Sequence, residues 1–169
     1  MSNELLKALK TAYEAEKEGL RTYLKFAKQT KVLSGKNMFI QLALDEVDHM
    51  ELIEKFTNQI MEGKPLEVID VPSGRLSKFM PDASDASLQK VDKAELGDEE
   101  ALKIALEHEK KAHEFYKEEA SKATSPEVKE FFEKLAEVEE KHYNIIQAEL
   151  DTIRNDGFWF DTMEFSVEM

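Results

Sequence analysis

Four long stretches of the chain repeat apolar residues at steps of three and four, the spacing of a helix that buries one face. A Ser125-Pro126 step is typical of a helix start, and Asp98 is expected to cap another helix. Gly63 and Gly157 are expected to end two of the helices. The pattern therefore predicts helices over about 4–30, 36–61, 98–122 and 126–155.

The connections between these helices differ greatly in length. Short connections near 31–35 and 123–125 join neighbouring helices into two antiparallel hairpins, whereas residues 62–97 form a long crossover between the hairpins. A crossover of this length can run along a whole bundle. The chain is therefore predicted to fold as an all-α four-helix bundle over residues 1–157.

The C-terminal tail, residues 158–169, breaks the helical period and is rich in aromatic side chains. It contains Phe158, Trp159, Phe160 and Phe165. We expect the tail to cover its own bundle, and docking on a second copy in a homodimer is the alternative.

The two hairpins are copies of one unit. A shift of 93 residues superposes them without a gap. The matched pairs include Glu16 with Glu109, Tyr23 with Tyr116, Glu46 with Glu139, and His49 with His142. The bundle is therefore expected to have pseudo-twofold symmetry.

Charge and composition narrow the possible partners. The 169 residues include 36 acidic and 23 basic side chains, a net charge of −13. This balance argues against nucleic acid and against anionic membrane surfaces. No apolar run is long enough to span a bilayer, and the first residues show no signal-peptide core, so a cytoplasmic protein is expected. The absence of cysteine excludes iron–sulfur clusters and thiolate sites.

Six ionisable residues occupy helix positions where the period requires apolar side chains. Each Glu-x-x-His pair spans about one turn, so both side chains project from the same side of the helix. Four carboxylates in a low-dielectric interior repel one another and lose hydration, whereas two divalent cations would neutralise them. Oxygen ligands with one imidazole per ion favour iron or manganese, and zinc less specifically. The candidate ligands are Glu16, Glu46, His49, Glu109, Glu139 and His142.

These motifs resemble the ferritin-like diiron-carboxylate superfamily, most closely the rubrerythrin-type diiron domain without its rubredoxin domain. The resemblance covers roughly residues 4–155 and rests on Glu-x6-Tyr followed by Glu-x-x-His in both hairpins. It implies a ferritin-like bundle that holds two iron ions. The implied roles are terminal ligands for Glu16 and Glu109, bridging ligands for Glu46 and Glu139, and imidazole ligands for His49 and His142.

The resemblance also implies that two tyrosines hydrogen-bond ligand carboxylates at the catalytic site. Each tyrosine lies seven residues, about 10 Å, beyond the glutamate of its own helix. The spacing therefore predicts bonds to the partner helix, from Tyr23 to Glu109 and from Tyr116 to Glu16. Ordinary core packing of the two rings is the alternative.

Two further histidines break the repeat. His113 lies on the buried side of its helix, one turn from Glu109. It is interpreted as a direct metal ligand, as a base behind the ligands, or as a core histidine with satisfied hydrogen bonds, and all three interpretations stay open. His108 lies off that side, and we expect it at the surface.

The resemblance implies an oxidoreductase that reacts with peroxide or oxygen, in oxidative-stress defence or as a ferroxidase. Rubrerythrins usually carry a further glutamate where this chain has Ala112, which argues against their metal-shifting peroxidase mechanism. Without cysteines for a rubredoxin domain, electrons are expected from an external donor protein. Iron binding or storage without turnover is the main alternative, and a structural bundle with a vestigial site is another.

Overall fold

The fold is a bundle of four helices with a small two-stranded ribbon. The computed structural model describes residues 3–67, 69–76 and 90–160. Helix α1 packs mainly against α2, and α3 packs mainly against α4, so both predicted hairpins are present. The predicted all-α bundle is confirmed. Its elements are α1 (Asn3–Gln29), α2 (Leu33–Met61), β1 (Lys90–Lys93), α3 (Asp98–Lys122), α4 (Pro126–Asp156) and β2 (Phe158–Phe160).

Most helix ends agree with the sequence signals, but the start of α2 does not. Helix α2 begins at Leu33, three residues before the predicted start, and Ser34 and Gly35 are buried in its first turn. Their low helix propensity suggested a loop, and packing against the bundle overrides it. Helix α4 begins as predicted, because Ser125 Oγ accepts a hydrogen bond from Val128 N at 3.3 Å.

Asp98 does not cap α3, contrary to the prediction. The N-cap residue is Gly97, and Asp98 is the first residue of the helix. The buried carboxylate of Asp98 accepts hydrogen bonds from Glu95 N at 2.9 Å and from Trp159 Nε1 at 3.0 Å. Asp98 therefore anchors the C-terminal segment to the start of α3.

The ribbon attaches the chain after α4 to the crossover. Strands β1 and β2 pair antiparallel, with Lys93 opposite Phe158. Trp159 and Phe160 are buried against the bundle of their own chain, as expected for the tail, whereas Phe158 is partly exposed. Phe165 lies outside the described residues. Neither strand was predicted, because short strands without a clear alternation give no sequence signal.

The apolar core consists of two clusters with the six ionisable residues between them along every helix. The first cluster surrounds Tyr23, Phe39 and Trp159, and the second surrounds Tyr116 and Phe132. On α4, for example, second-cluster residues precede Glu139, and first-cluster residues follow His142. The candidate ligands therefore form a polar layer between two apolar layers.

The helices were compared with the length and hydropathy that a membrane-spanning helix needs. Within the described ranges, none is both long and apolar enough to span a bilayer.

Glu149 is a buried carboxyl group in the last third of α4. It is fully buried, and Oε2 accepts a hydrogen bond from Phe160 N at 3.3 Å. Oε1 has no hydrogen-bond partner among the described residues. Burial raises the pKa of Glu149 well above its ordinary value, although the bond from Phe160 N acts in the opposite direction.

A raised pKa in the folded state makes stability fall as pH rises above the unfolded-state pKa, because folding then requires the carboxyl group to hold its proton. Glu149→Gln cannot ionise. We therefore compare the melting temperature of the variant minus that of the unmodified protein at two pH values, in the presence of a chelator. This difference should be several degrees higher at pH 8 than at pH 5. The exposed Glu137→Gln variant is the control and should show no such change. An equal difference at both pH values would contradict the prediction.

Candidate metal centre

The six candidate ligands come together in one buried cluster to which all four helices contribute. Each is at most 2% exposed. Helices α1 and α3 each supply one glutamate, and α2 and α4 each supply one Glu-x-x-His pair. The one-turn spacing places the glutamate and the histidine of a pair next to each other on the inner side of their helix.

The carboxylates form two groups, each around one imidazole nitrogen. His49 Nδ1 lies 3.2 Å from Glu16 Oε2 and 3.1 Å from Glu139 Oε1. His142 Nδ1 lies 3.6 Å from Glu109 Oε2 and 3.4 Å from Glu139 Oε2.

The spacing within each group suits one metal ion. Each residue offers one ligand atom, and within a group these atoms lie within 4.8 Å of one another. Two ligands about 2.1 Å from the same ion are about 3 to 4 Å apart. Glu139 belongs to both groups, whereas Glu46 joins only the group of His142. A bridging role for Glu139 agrees with this arrangement, and a bridging role for Glu46 stays a prediction.

Charge repulsion is severe among these carboxylates. Burial raises the pKa of Glu46 well above its ordinary value, and the charges of Glu16 and Glu109 raise it further. Burial and the neighbouring Glu139 raise the pKa of Glu109 to about 8. Protons on these carboxyl groups therefore relieve part of the repulsion.

The histidines relieve the rest. Burial by itself would lower the pKa of His49, but Glu139 and Glu16 raise it to about 10. Burial also opposes protonation of His142, and Glu109 and Asp45 outweigh it, so its pKa lies well above the ordinary value. Burial likewise would raise the pKa of Glu139, yet His49 holds it well below the ordinary value. Protons thus balance the charge in the metal-free cluster, and divalent cations would replace them.

The hydrogen-bonding state of the cluster tests whether a metal fits. Among the described residues, buried cluster atoms without a hydrogen-bond partner are Glu46 Oε1 and Oε2, Glu109 Oε2, Glu139 Oε1 and Oε2, and His142 Nδ1. A buried polar atom without a hydrogen-bond partner lowers the stability of the folded protein, because it loses hydration without replacement. These atoms are also of the types that bind metals, and they lie in the two groups, so the residues are able to hold metal.

The two tyrosines hold the outer glutamates in place. Tyr23 Oη donates a hydrogen bond to Glu109 Oε1, and Tyr116 Oη donates one to Glu16 Oε1. This is the cross-helix pairing expected from the spacing. Burial, followed by the nearby carboxylates, raises the pKa of both tyrosines well above the ordinary value, so both remain donors. Each outer glutamate therefore has one oxygen bound to a tyrosine and the other facing a histidine.

Comparison with known proteins agrees with this geometry. The family model described as Rubrerythrin matches residues 7–150. The chain belongs to the rubrerythrin family. Membership implies a ferritin-like, iron-binding protein, and the buried carboxylates and histidines of this rubrerythrin-family chain are groups that can hold a metal.

A solved structure supports the same fold. A hypothetical protein from Pyrococcus furiosus aligns with a TM-score of 0.66 and 24% identity, over 89% of this chain and 90% of that chain. No curated protein matches the chain.

Asp45 is a buried contact of the centre that no pattern in the sequence indicated. His142 Nε2 donates to Asp45 Oδ2 at 2.9 Å, which leaves Nδ1 facing the carboxylates. The repeat does not reproduce this contact, because Val138 occupies the position equivalent to Asp45. His142 therefore has a carboxylate partner, whereas the matched position beside His49 holds a valine. This difference makes the two ligand groups chemically different.

The crossover holds Asp45 in place. Arg75 donates to Asp45 from its backbone N at 2.9 Å and from Nη1 at 2.6 Å, and Nη1 also lies 2.8 Å from Asp48 Oδ2. Burial would raise the pKa of Asp45, but hydrogen bonds from His142 and Arg75 hold it below the ordinary value. Gly74 has φ +86°, and a Cβ there would lie 3.1 Å from His142 Nε2, so the crossover requires glycine at this contact.

The structure describes the surroundings of both further histidines. His113 is partly buried, and its Nδ1 pairs with Ala136 O at 2.8 Å. His113 belongs to neither ligand group of the described residues, and its bond with Ala136 O is the kind of contact expected of a core histidine with satisfied hydrogen bonds. His108 was expected at the surface because it lies off the buried side of its helix. It is only partly exposed, and its Nε2 lies 3.7 Å from Glu46 Oε2.

Asp45 provides a test of the support around His142. Asp45→Ala removes the acceptor of His142 Nε2 and should weaken binding of the metal ion beside His142 by about 10- to 100-fold, the usual effect of losing such a contact. Isothermal titration of the metal-free protein with Co²⁺ measures the change. Asp48→Ala is the matched control, because Asp48 contacts Arg75 but has no described contact with His142. Equal Co²⁺ affinities for the two variants would contradict the role of Asp45.

Proposed function

We propose that this rubrerythrin-family protein is a two-iron oxidoreductase that reacts with peroxide or oxygen, in oxidative-stress defence or as a ferroxidase. The observation that carries the proposal is the pair of buried ligand groups that share Glu139. Two metal-binding groups joined by one carboxylate suit a two-electron reaction, in which each of two adjacent metal ions gives one electron to the same oxidant. Manganese or zinc in these groups is the alternative to iron.

The proposed ligands are Glu16, His49 and Glu139 for one ion, and Glu46, Glu109, Glu139 and His142 for the other. When bound, a pair of ferrous ions supplies the two electrons that convert hydrogen peroxide and two protons to two water molecules.

The remaining contributions come from the protein's own residues. Tyr23 and Tyr116 fix the outer glutamates, so that one oxygen of each faces a histidine. The apolar layers on both sides of the cluster exclude bulk water and preserve the electrostatic interactions inside it. An external donor protein returns the electrons, because the chain has no cysteine for an iron–sulfur or rubredoxin-type centre.

An anaerobic titration with Fe²⁺, followed by rapid mixing with peroxide or oxygen, tests the proposal. The metal-free protein should bind two Fe²⁺ per chain, and the loaded protein should oxidise both ions within the mixing experiment. Binding of two ions without oxidation by either oxidant would instead support iron binding without turnover. Failure to bind more than trace iron would contradict the metal centre.

Glu139→Gln tests whether Glu139 is a ligand shared by both groups. The variant should lose at least about 10- to 100-fold in Fe²⁺ affinity for both ions, because one carboxylate serves both groups and an amide supplies no negative charge. The exposed neighbour Glu140 provides the control, since Glu140→Gln keeps every proposed ligand. A Glu139→Gln variant that still binds two ions at the unmodified affinity would show that Glu139 is not shared.

A further inference from the structure

His108 connects the outside of the bundle to the buried cluster. It lies on α3 immediately before Glu109, and its side chain is 21% exposed, whereas that of Glu46 is fully buried. The 3.7 Å between His108 Nε2 and Glu46 Oε2 is too long for a hydrogen bond. It is, however, close to the separation of two ligands on one ion, about 3 to 4 Å.

Gly19 makes this approach possible. A Cβ at position 19 would lie 2.4 Å from His108 Nε2 and 2.5 Å from Glu46 Oε2. Both atoms therefore lie directly against the α1 backbone, and any side chain at position 19 would displace at least one of them. The space for this pair of ligand atoms exists because residue 19 is glycine.

The carboxylate side of the pair is unsatisfied. Glu46 is 0% exposed, and neither of its oxygens has a hydrogen-bond partner among the described residues. On the imidazole side, the ring of His108 packs edge-on against Tyr23, with 5.9 Å between ring centroids and an interplanar angle of 90°. The packing holds the imidazole beside a buried carboxylate that lacks a partner.

The pair interrupts the internal symmetry of the chain. The repeat places Ala15 at the position equivalent to His108, and Ala112 at the position equivalent to Gly19. The equivalent place therefore has no imidazole, and the position equivalent to Gly19 carries a Cβ there. Of the two positions related by the repeat, 108 and 15, only position 108 therefore has an imidazole beside the cluster.

We propose that His108 Nε2 and Glu46 Oε2 form a portal site, a third position that holds a divalent cation on its way from solvent to the buried ligand groups. The imidazole receives the cation at the surface, and the carboxylate that belongs to the inner group passes it inward. The net charge of −13 raises the local cation concentration around the protein. The proposal rests on metal binding by the buried cluster, and not on the oxidation reaction.

Loading kinetics with Co²⁺ test the portal site without any redox step. Metal-free protein is mixed rapidly with Co²⁺, and the visible absorption of the bound ion is followed to its final value. The unmodified protein should take up two ions per chain. His108→Ala should reach the same final value with an initial rate at least about tenfold lower, an effect comparable to losing an outer contact of a metal site.

Two further variants make the test specific. His113→Gln changes a partly buried histidine of the same helix that pairs with Ala136 O, and it should load at the unmodified rate. Gly19→Ala should also load slowly, because its Cβ displaces His108 Nε2 or Glu46 Oε2 from the portal site. Its final absorption shows whether the buried group that contains Glu46 still fills, and its melting temperature shows whether it folds.

The possible outcomes separate the portal site from the proposed function. If His108→Ala loads as fast as the unmodified protein, the portal site is wrong while the buried centre stands. If it loads at the same rate but to a lower final value, His108 is a resident ligand and the portal site is again wrong. If the unmodified protein binds no Co²⁺, the metal centre itself fails.

Discussion

The structure depends on the charge balance of four carboxylates buried in an apolar helical bundle. Each loses most of its hydration there, and their mutual repulsion acts through a medium of low dielectric constant. The neighbouring carboxylates raise the pKa of His49, and burial with Glu139 raises the pKa of Glu109, so both groups favour protons that offset the negative charge. A cluster of this kind is best explained by cations that the fold is built to receive.

The internal repeat provides the framework, and departures from it provide the chemical differences. The repeat supplies matching glutamates, histidines and tyrosines on both hairpins. Asp45 supports only His142, and its equivalent position holds Val138. His108 approaches Glu46, and its equivalent position holds Ala15. Both departures involve residues beside ligands of the group that contains His142. The two ligand groups therefore have different surroundings, although their ligands come from a repeat.

Much of this arrangement could be predicted from the sequence, because helical periodicity and an ungapped repeat act over short distances along the chain. They identify the four helices and the six clustered residues without knowledge of the tertiary structure. Asp45 escaped prediction because its contacts come from α4 and from Arg75 in the crossover, and no periodicity links those segments. His108 was placed at the surface because helix geometry alone does not show that Gly19 leaves room for the ring. The ribbon was missed because it forms between segments far apart in sequence.

Anomalous X-ray diffraction at the iron absorption edge, from crystals loaded anaerobically with Fe²⁺, would locate bound iron relative to the two histidines. Two strong peaks should lie inside the bundle, one beside His49 Nδ1 and one beside His142 Nδ1, with Glu139 contacting both. No peak in the cluster, or peaks only at exposed carboxylates, would contradict the proposed metal centre.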